Sequence, residues 1–299
     1  MITDEQLSIW TKPPFDKEEE KAEETRDRIQ IAVDNYPPLK KLSPRVFAKG
    51  SYKNRTNVRH KSDIDIGIEL TSLYALKLPE GVTIDSIQEI SRYDGIPSLD
   101  FKNLVGEAMR KEFGNRVDGS GNKVFKIRES LEVSDADVVP CTTHRRYFSN
   151  RNEDYRQGIK LILNKPDGID HINYPDQQYE KGKAKNVNTM LRYKSAVRIL
   201  KNINGHVSGN SEPKFHSSMI EGIAYNINPV TYLLNSDWRV LIKAIYSEAW
   251  QYFDTEEPSD ENLRWKESNG IKFLFHPYQK WGDNHDLAKE FIQSAYNLL

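Results

Sequence analysis

The chain has 299 residues, of which 29% are charged and 37% hydrophobic, enough for one large globular domain or two closely packed lobes. Its formal net charge of -1 lacks the basic excess of proteins that hold long DNA or RNA. Cys141 is the only cysteine, which excludes an internal disulfide and favours a reducing, cytoplasmic location. The apolar runs are too short to span a membrane, and the acidic start of the chain predicts no secretory signal.

The first predicted element is a long and mostly polar helix. Asp16 is suited to cap it, the helix runs to about Asn35, and Pro37 stops it. Its apolar residues form a narrow stripe around Ile29 and Val33. The helix is therefore expected to lie on the outside of the fold and to bury only that stripe.

A region of strands follows, and then a region of helices. Alternating or apolar-rich stretches predict strands over 45–49, 63–70, 123–128 and 131–139, a hairpin of 159–163 with 169–173, and one helix over 98–113. Beyond about residue 185, helices are predicted over 188–203, 219–226, 236–250 and 284–298. This order predicts an α+β protein with a core of residues 1–185 and a helical lobe of residues 186–299.

Asp63 and Asp65 stand two residues apart in the clearest predicted strand, so both carboxylates project to the same face. Carboxylates held side by side repel each other, and a divalent cation such as Mg²⁺ or Mn²⁺ is the usual way to offset that repulsion. A third carboxylate from a neighbouring strand would allow two ions to bind. Asp137 is the candidate for that ligand, and Asp135, which shares its face, is the alternative.

Two further patterns suit the binding of a triphosphate. Gly50 lets backbone N–H groups approach a phosphate, and the hydroxyl of Ser51 can donate to it. Lys194, Arg198 and Lys201 recur on one face of a predicted helix. Taken alone, the first pattern is also that of a turn, and the second that of a solvated basic stripe.

These residues together resemble the DNA polymerase β-type nucleotidyltransferase superfamily, and within it the bacterial cGAS/DncV-like nucleotidyltransferases (CD-NTases). The stretches that carry the resemblance are residues 50–66, 136–140 and 192–201. The resemblance implies a mixed sheet with a long N-terminal spine helix, a helical C-terminal lobe and an active site in the cleft between them. It also implies an enzyme that makes cyclic di- or trinucleotides as second messengers in anti-phage (CBASS) signalling, with release of pyrophosphate.

Carried over residue by residue, the resemblance implies that Asp63, Asp65 and Asp137 bind two Mg²⁺ or Mn²⁺ ions. Contacts to the nucleotide are expected from Gly50, Ser51, Lys194, Lys201, either Ser217 or its neighbour Ser218, and, for reading the base, Asn173 with Tyr174. The family also implies a monomer that uses nucleoside triphosphates, needs no long nucleic acid or membrane, and leaves room for a regulatory partner protein.

Two other functions remain open on the sequence. One is an enzyme of the same fold that makes linear oligonucleotides, as an oligoadenylate synthase does, or that transfers a nucleotide to another acceptor. The other is a non-catalytic binding module, against which the presence of all three carboxylates and Ser51 argues.

Overall fold

A computed structural model describes residues 1–59, 63–87, 93–207, 216–255, 258–275 and 285–299. The chain forms two compact units. The sheet unit consists of residues 15–53 and 62–175, and the helical unit of residues 1–14, 54–61 and 176–299. The predicted boundary at residue 185 differs from this division, because residues 176–185 belong to the helical unit. Residues 1–14 belong to it too, since Ile2 and Leu7 are buried in its core.

The sheet unit contains one mixed sheet. Its strands are β1 (Arg45–Lys49), β2 (Ile64–Lys77), β3 (Val117–Asp118), β4 (Phe125–Ile127), β5 (Ala136–Tyr147), β6 (Tyr155–Leu161) and β7 (Ile172–Asn173). The order is β1-β2-β5-β4-β3, and β6 pairs with the later part of β5 and with β7. The central pair, β2 and β5, is parallel, and the other pairs are antiparallel.

Helices cover one face of this sheet. They are α2 (Asp16–Asp34), α3 (Pro37–Lys40), α4 (Gly50–Asn54) and α5 (Ser98–Phe113). The alternate residues of β2 and the predicted stripe of α2 meet in one core, which includes Ile64, Ile66, Ile29 and Val33. The long helix is therefore confirmed, but its cap lies one residue earlier than predicted, at Phe15, whose N–H donates to the Glu18 carboxylate at 3.1 Å.

The strand predicted over 131–139 begins only at Ala136. The residues before it form a turn, in which the N–H of Ser130 donates to the carbonyl of Val133 at 2.8 Å. Leu131 is fully exposed in this turn. The prediction of a strand over 131–135 is wrong because an apolar side chain in a turn resembles one in a strand.

The helical unit consists of α1 (Asp4–Trp10), α6 (Pro175–Asn188), α7 (Arg192–Val207), α8 (Ser217–Asn226), α9 (Pro229–Leu234), α10 (Trp238–Phe253) and α11 (His285–Tyr296). The helix predicted from residue 188 begins at Arg192, because Met190 and Leu191 have left-handed backbones with φ of 50° and 64°, which a right-handed helix does not contain. No helix among the described residues is long and apolar enough to cross a membrane.

Candidate active site

The sheet brings two of the predicted carboxylates side by side. Asp65 lies near the start of β2 and Asp137 near the start of β5, and the two residues are partners in the parallel register. Adjacent in-register residues project to the same face of a sheet. Asp63 comes immediately before β2, two residues from Asp65, so all three carboxylates occupy one end of the two central strands.

The pKa values show that these charges interact. Burial is the largest cause of the raised pKa of Asp63, and the charges of Asp135 and Asp65 raise that pKa further, whereas Lys126 lowers it. Burial is also the largest cause of the raised pKa of Asp137, where Lys126 opposes and the two nearby aspartates add to the shift. The site is thus a partly buried concentration of negative charge.

The structure separates Asp137 from its alternative, Asp135. Asp135 is exposed, and its carboxylate accepts the N–H of Glu129 at 2.7 Å, which stabilises the turn before β5. Its backbone carbonyl accepts the N–H of Ile64 at 3.0 Å, just ahead of the paired residues of β2 and β5. Asp137 is the aspartate that stands opposite Asp65 in the sheet.

The donor set consists of carboxylate oxygens, which are the ligands that a hard divalent cation prefers. One neighbouring cation is Lys49, whose Nζ lies 3.6 Å from Oδ1 of Asp65. Within the part of the chain that the structure describes, no three His, Cys, Asp or Glu side chains stand in a ready-made metal-binding arrangement.

Gly50 turns the backbone sharply beside the Asp65 carboxylate, and we call this turn the glycine corner. It joins β1 to α4 with a φ of 66°, and a Cβ atom placed on it would lie 2.1 Å from Oδ2 of Asp65. Only glycine therefore allows the backbone at this position to approach the carboxylate so closely. Ser51 follows in the first turn of α4 and is half-buried. Residues 60–62 of the matching stretch lie outside the described residues.

Asn173 and Tyr174 lie elsewhere in the sheet unit. Asn173 pairs with Ile159 of β6, which in turn pairs with Thr143 of β5. That position is six residues beyond Asp137, or about 20 Å along the strand. Tyr174 is 4% exposed and packs edge-on to His144, so stacking on a base, as predicted for Tyr174, is not open to it in this conformation.

Lys194, Lys201 and Ser217 belong to the helical unit. Ser217 is exposed at the start of α8, and Lys194 is half-buried on α7, where burial is the largest cause of its lowered pKa. Lys201 is buried, and its Nζ lies 2.6 Å from Oε1 of Glu221. Its ammonium group is thus already paired with a buried carboxylate.

Glu221 and Thr56 are not among the residues that the sequence singles out, although both lie in or beside the motifs. The Thr56 hydroxyl donates to the same Oε1 of Glu221 at 2.5 Å. A threonine and a glutamate 165 residues apart give no periodic signal that links them. The one sequence signal for Thr56 is the extent of the family resemblance beyond Gly50 and Ser51.

A mixed sheet with paired aspartates beside a glycine corner is the arrangement expected of a nucleotidyltransferase. Comparison with known proteins then fixes the family. Residues 180–299 match the family model described as the cGAS/DncV-like nucleotidyltransferase C-terminal helical domain. Together with the full-length relatives below, this shows that the chain belongs to the cGAS/DncV-like nucleotidyltransferases, and it is an enzyme of that class.

Three relatives illustrate the similarity. The cyclic dipyrimidine nucleotide synthase CdnE of Cecembia lonarensis is 31% identical, covering 93% of this chain and 92% of that protein. The cyclic GMP-AMP synthase CdnE03 of Staphylococcus schleiferi is 30% identical, with 87% and 89% covered. The structure of the Rhodothermus marinus CdnE c-UMP-AMP synthase with Apcpp and Upnpp has a TM-score of 0.82 at 25% identity, covering all of this chain and 96% of that one. The predicted α+β nucleotidyltransferase fold is confirmed.

Proposed function

We propose that this enzyme joins ribonucleoside triphosphates into a cyclic dinucleotide and releases pyrophosphate. The observation that carries the proposal is the register of Asp65 with Asp137 beside the Gly50 corner, in a chain 31% identical over nearly its full length to a cyclic nucleotide synthase. A linear product or a different acceptor is less favoured, because the relatives are named for cyclic products.

Asp63, Asp65 and Asp137 would hold two divalent cations, Mg²⁺ or Mn²⁺. When bound, such ions neutralise charge on the triphosphate and make a 3′-hydroxyl easier to deprotonate. Asp137 is the residue that we assign to orient the attacking hydroxyl and to help accept its proton. Asp63 and Asp65 would hold the same ions beside the donor triphosphate.

The donor triphosphate is assigned to the backbone of Gly50 and the hydroxyl of Ser51, with Lys194, Lys201 and Ser217 as further contacts. The N–H groups of a glycine corner suit phosphate oxygens, and an ammonium has three N–H donors. Lys201 therefore retains donors for a phosphate after it has bonded to Glu221. Two rounds of the same transfer, the second with the intermediate's own triphosphate as donor, close the ring.

The biological setting follows from the family. The product would act as a second messenger in anti-phage (CBASS) defence in the cytoplasm, and a regulatory partner protein would act upstream of synthesis. The identity of the bases does not follow, since relatives of nearly equal identity are named for dipyrimidine and for GMP–AMP products.

A direct assay tests the proposal. The purified full chain is incubated with all four ribonucleoside triphosphates and Mg²⁺ or Mn²⁺, and phosphatase then removes terminal phosphates. Mass spectrometry should find a phosphatase-resistant dinucleotide that names the two bases. Asp63→Asn keeps the side-chain shape and removes the charge, so this variant should fold normally and give no resistant product.

The same assay separates the alternatives. Products that phosphatase fully degrades would indicate linear oligonucleotides. A resistant product made equally well by Asp63→Asn would contradict the assignment of the carboxylates. No product from any mixture of nucleotides and metals would contradict synthesis by the chain without its regulatory partner.

A further inference from the structure

Glu221 is a buried carboxylate that connects three segments of the helical unit. It lies in the middle of α8 and is 4% exposed. Its oxygens accept hydrogen bonds from Lys201 Nζ at 2.6 Å, Thr56 Oγ1 at 2.5 Å and Gln178 Nε2 at 3.1 Å. These donors come from α7, from the segment 54–59 and from α6. A buried charge is tolerated only with such partners.

The segment 54–59 depends on these side chains for its position. It contains no strand, and after the end of α4 no helix, yet Thr56 is 1% exposed. Arg55 has a left-handed backbone with a φ of 54°, and its carbonyl accepts a second anchoring bond from Arg198 at 2.7 Å. Side chains of α7 and α8 thus hold this segment, since no strand partner does.

The same segment lies in the chain between Ser51 and Asp63. Thr56 follows Ser51 by five positions and precedes Asp63 by seven, so the Cα atoms of each pair are at most about 18 Å and 25 Å apart. Fixing Thr56 therefore fixes the backbone that directly follows α4, the helix that carries Ser51. Lys201, bonded to the same carboxylate oxygen as Thr56, is fixed together with it.

We propose that Glu221 is a positioning residue of the transfer reaction, which acts by holding the Thr56 hydroxyl and the Lys201 ammonium with one carboxylate. The role rests on the proposed function, because it assumes that Lys201 and Ser51 contact the triphosphate. Stability alone does not require the arrangement, since a buried ion pair can often be replaced by apolar side chains without loss.

The test removes one hydroxyl without disturbing the ion pair. Thr56→Val has nearly the shape of threonine and leaves the bond between Lys201 and Glu221 intact. We expect kcat for the cyclic product to fall at least about tenfold, because a small displacement of groups that orient the substrate slows the reaction by one to two orders of magnitude, while KM for the triphosphates changes less than about threefold. Thr56→Ser restores the hydroxyl and should restore kcat.

Thr231→Val is a matched control in the same unit. The Thr231 hydroxyl donates to a glutamate carboxylate, that of Glu248, at 2.6 Å, so its loss should lower the melting temperature comparably. It should not change kcat. Glu221→Gln, a second variant, should lower kcat and also raise KM, because Lys201 loses its charged partner.

Two results would overturn the inference. One is a Thr56→Val enzyme with wild-type kcat. The other is a loss of activity that Thr231→Val shows to the same degree, which would indicate general destabilisation.

A measurement that does not depend on catalysis tests the role of Thr56 separately from the proposed function. Amide hydrogen exchange over residues 54–59 should be faster in Thr56→Val than in the wild type and unchanged in Thr231→Val. If the wild type made no cyclic product, the proposed function would fail, and the exchange rates would still decide whether the hydroxyl holds the segment. Equal exchange in Thr56→Val and the wild type would contradict it.

Discussion

Asp135 and Asp137 are two positions apart in the sequence, but their side chains have different neighbours. Asp137 stands opposite a carboxylate on the neighbouring strand, whereas Asp135 accepts a backbone N–H in the turn before that strand. A carboxylate that would hold the cations at the reacting phosphates affects the transition state far more than an exposed carboxylate that stabilises a turn.

Replacing each aspartate by asparagine tests this assignment. Asp137→Asn should lower the rate of product formation at least about a hundredfold, and Asp135→Asn less than about threefold. Rates are compared at saturating triphosphates and metal, with far-ultraviolet circular dichroism to verify folding. If Asp135→Asn proved the more damaging change, the roles of the two residues would have to be exchanged.

Lys102 makes stability depend on pH. Its side chain is fully buried, Nζ donates to the carbonyls of Asn122 and Ile162 at 2.7 and 2.8 Å, and burial lowers its pKa from 10.5 to about 8. Above pH 8 the unfolded chain binds this proton more fully than the folded chain. The free energy of unfolding should therefore rise with pH, by about 1 kcal/mol per pH unit between about pH 8 and 10.

Lys102→Met should remove the part of that rise that Lys102 contributes. Urea unfolding at about pH 7.5, 8.5 and 9.5 gives the dependence for both proteins, and their difference isolates Lys102. Burial lowers the pKa of Lys185 to about 8 as well. Because that lysine is present in both proteins, its contribution to the free energy of unfolding cancels in the difference. Parallel stability curves would show that Lys102 does not titrate in this range.

At the scale of the element, the corner between β1 and α4 depends on glycine for two separate reasons. Gly50 has a left-handed φ, and the space beside it is filled by the Asp65 carboxylate. Gly81 also has a left-handed φ, of 77°, but a Cβ atom added to it would meet no heavy atom within 4 Å. The two glycines share the first property and differ in the second.

Alanine at each position separates these effects. Both substitutions should reduce stability by about 1 kcal/mol, because a side chain disfavours the left-handed backbone. Only Gly50→Ala should also displace Asp65, and a displacement of about 1 Å can lower activity about a hundredfold. Thermal unfolding and product formation are measured on both variants. Equal activities would mean that the close approach of Gly50 to Asp65 does not matter.

The elements that the sequence predicts correctly are those with a strong local signal. β1 has the predicted bounds, because it is a short apolar run between two basic residues. The helix over Ser98–Phe113 does too, because its apolar residues follow the helix period. The carboxylate strand is predicted only to Leu70, but β2 continues to Lys77 through an irregularity in its pairing with β5. A bulge disturbs the alternation on which the prediction relies.

Within the candidate site, prediction from the sequence relies on the strand period, which is how Asp63 and Asp65 are selected together. It cannot provide the bond between Thr56 and Glu221, because pairing between distant segments leaves no periodic pattern in either. The sequence likewise does not predict that Tyr174 is buried, since its burial depends on packing against His144. Local patterns identify the carboxylates, and tertiary contacts decide which other residues surround them.

At the scale of the whole molecule, the balance of charges bears on activation. The sequence has 43 basic and 44 acidic residues, so the chain as a whole does not attract a polyanion. Adding double-stranded DNA or RNA should change the rate of synthesis less than about twofold, and nuclease treatment should not lower it. A large rise on addition of either nucleic acid, suppressed by salt, would reveal a local basic site that the total charge conceals.

The first helix has a consequence for how the protein is made. Leu7 is buried with residues of α7, α10 and α11, and the N–H of Ile2 donates to the carbonyl of Leu298 at 2.8 Å. During translation these first residues leave the ribosome long before their partners exist. The sheet unit, whose residues end at 175, can collapse earlier, whereas the helical core must wait for α11. Until then the apolar side chains of α1 lack the partners that bury them, so we expect the helical unit to fold only after α11 has been made.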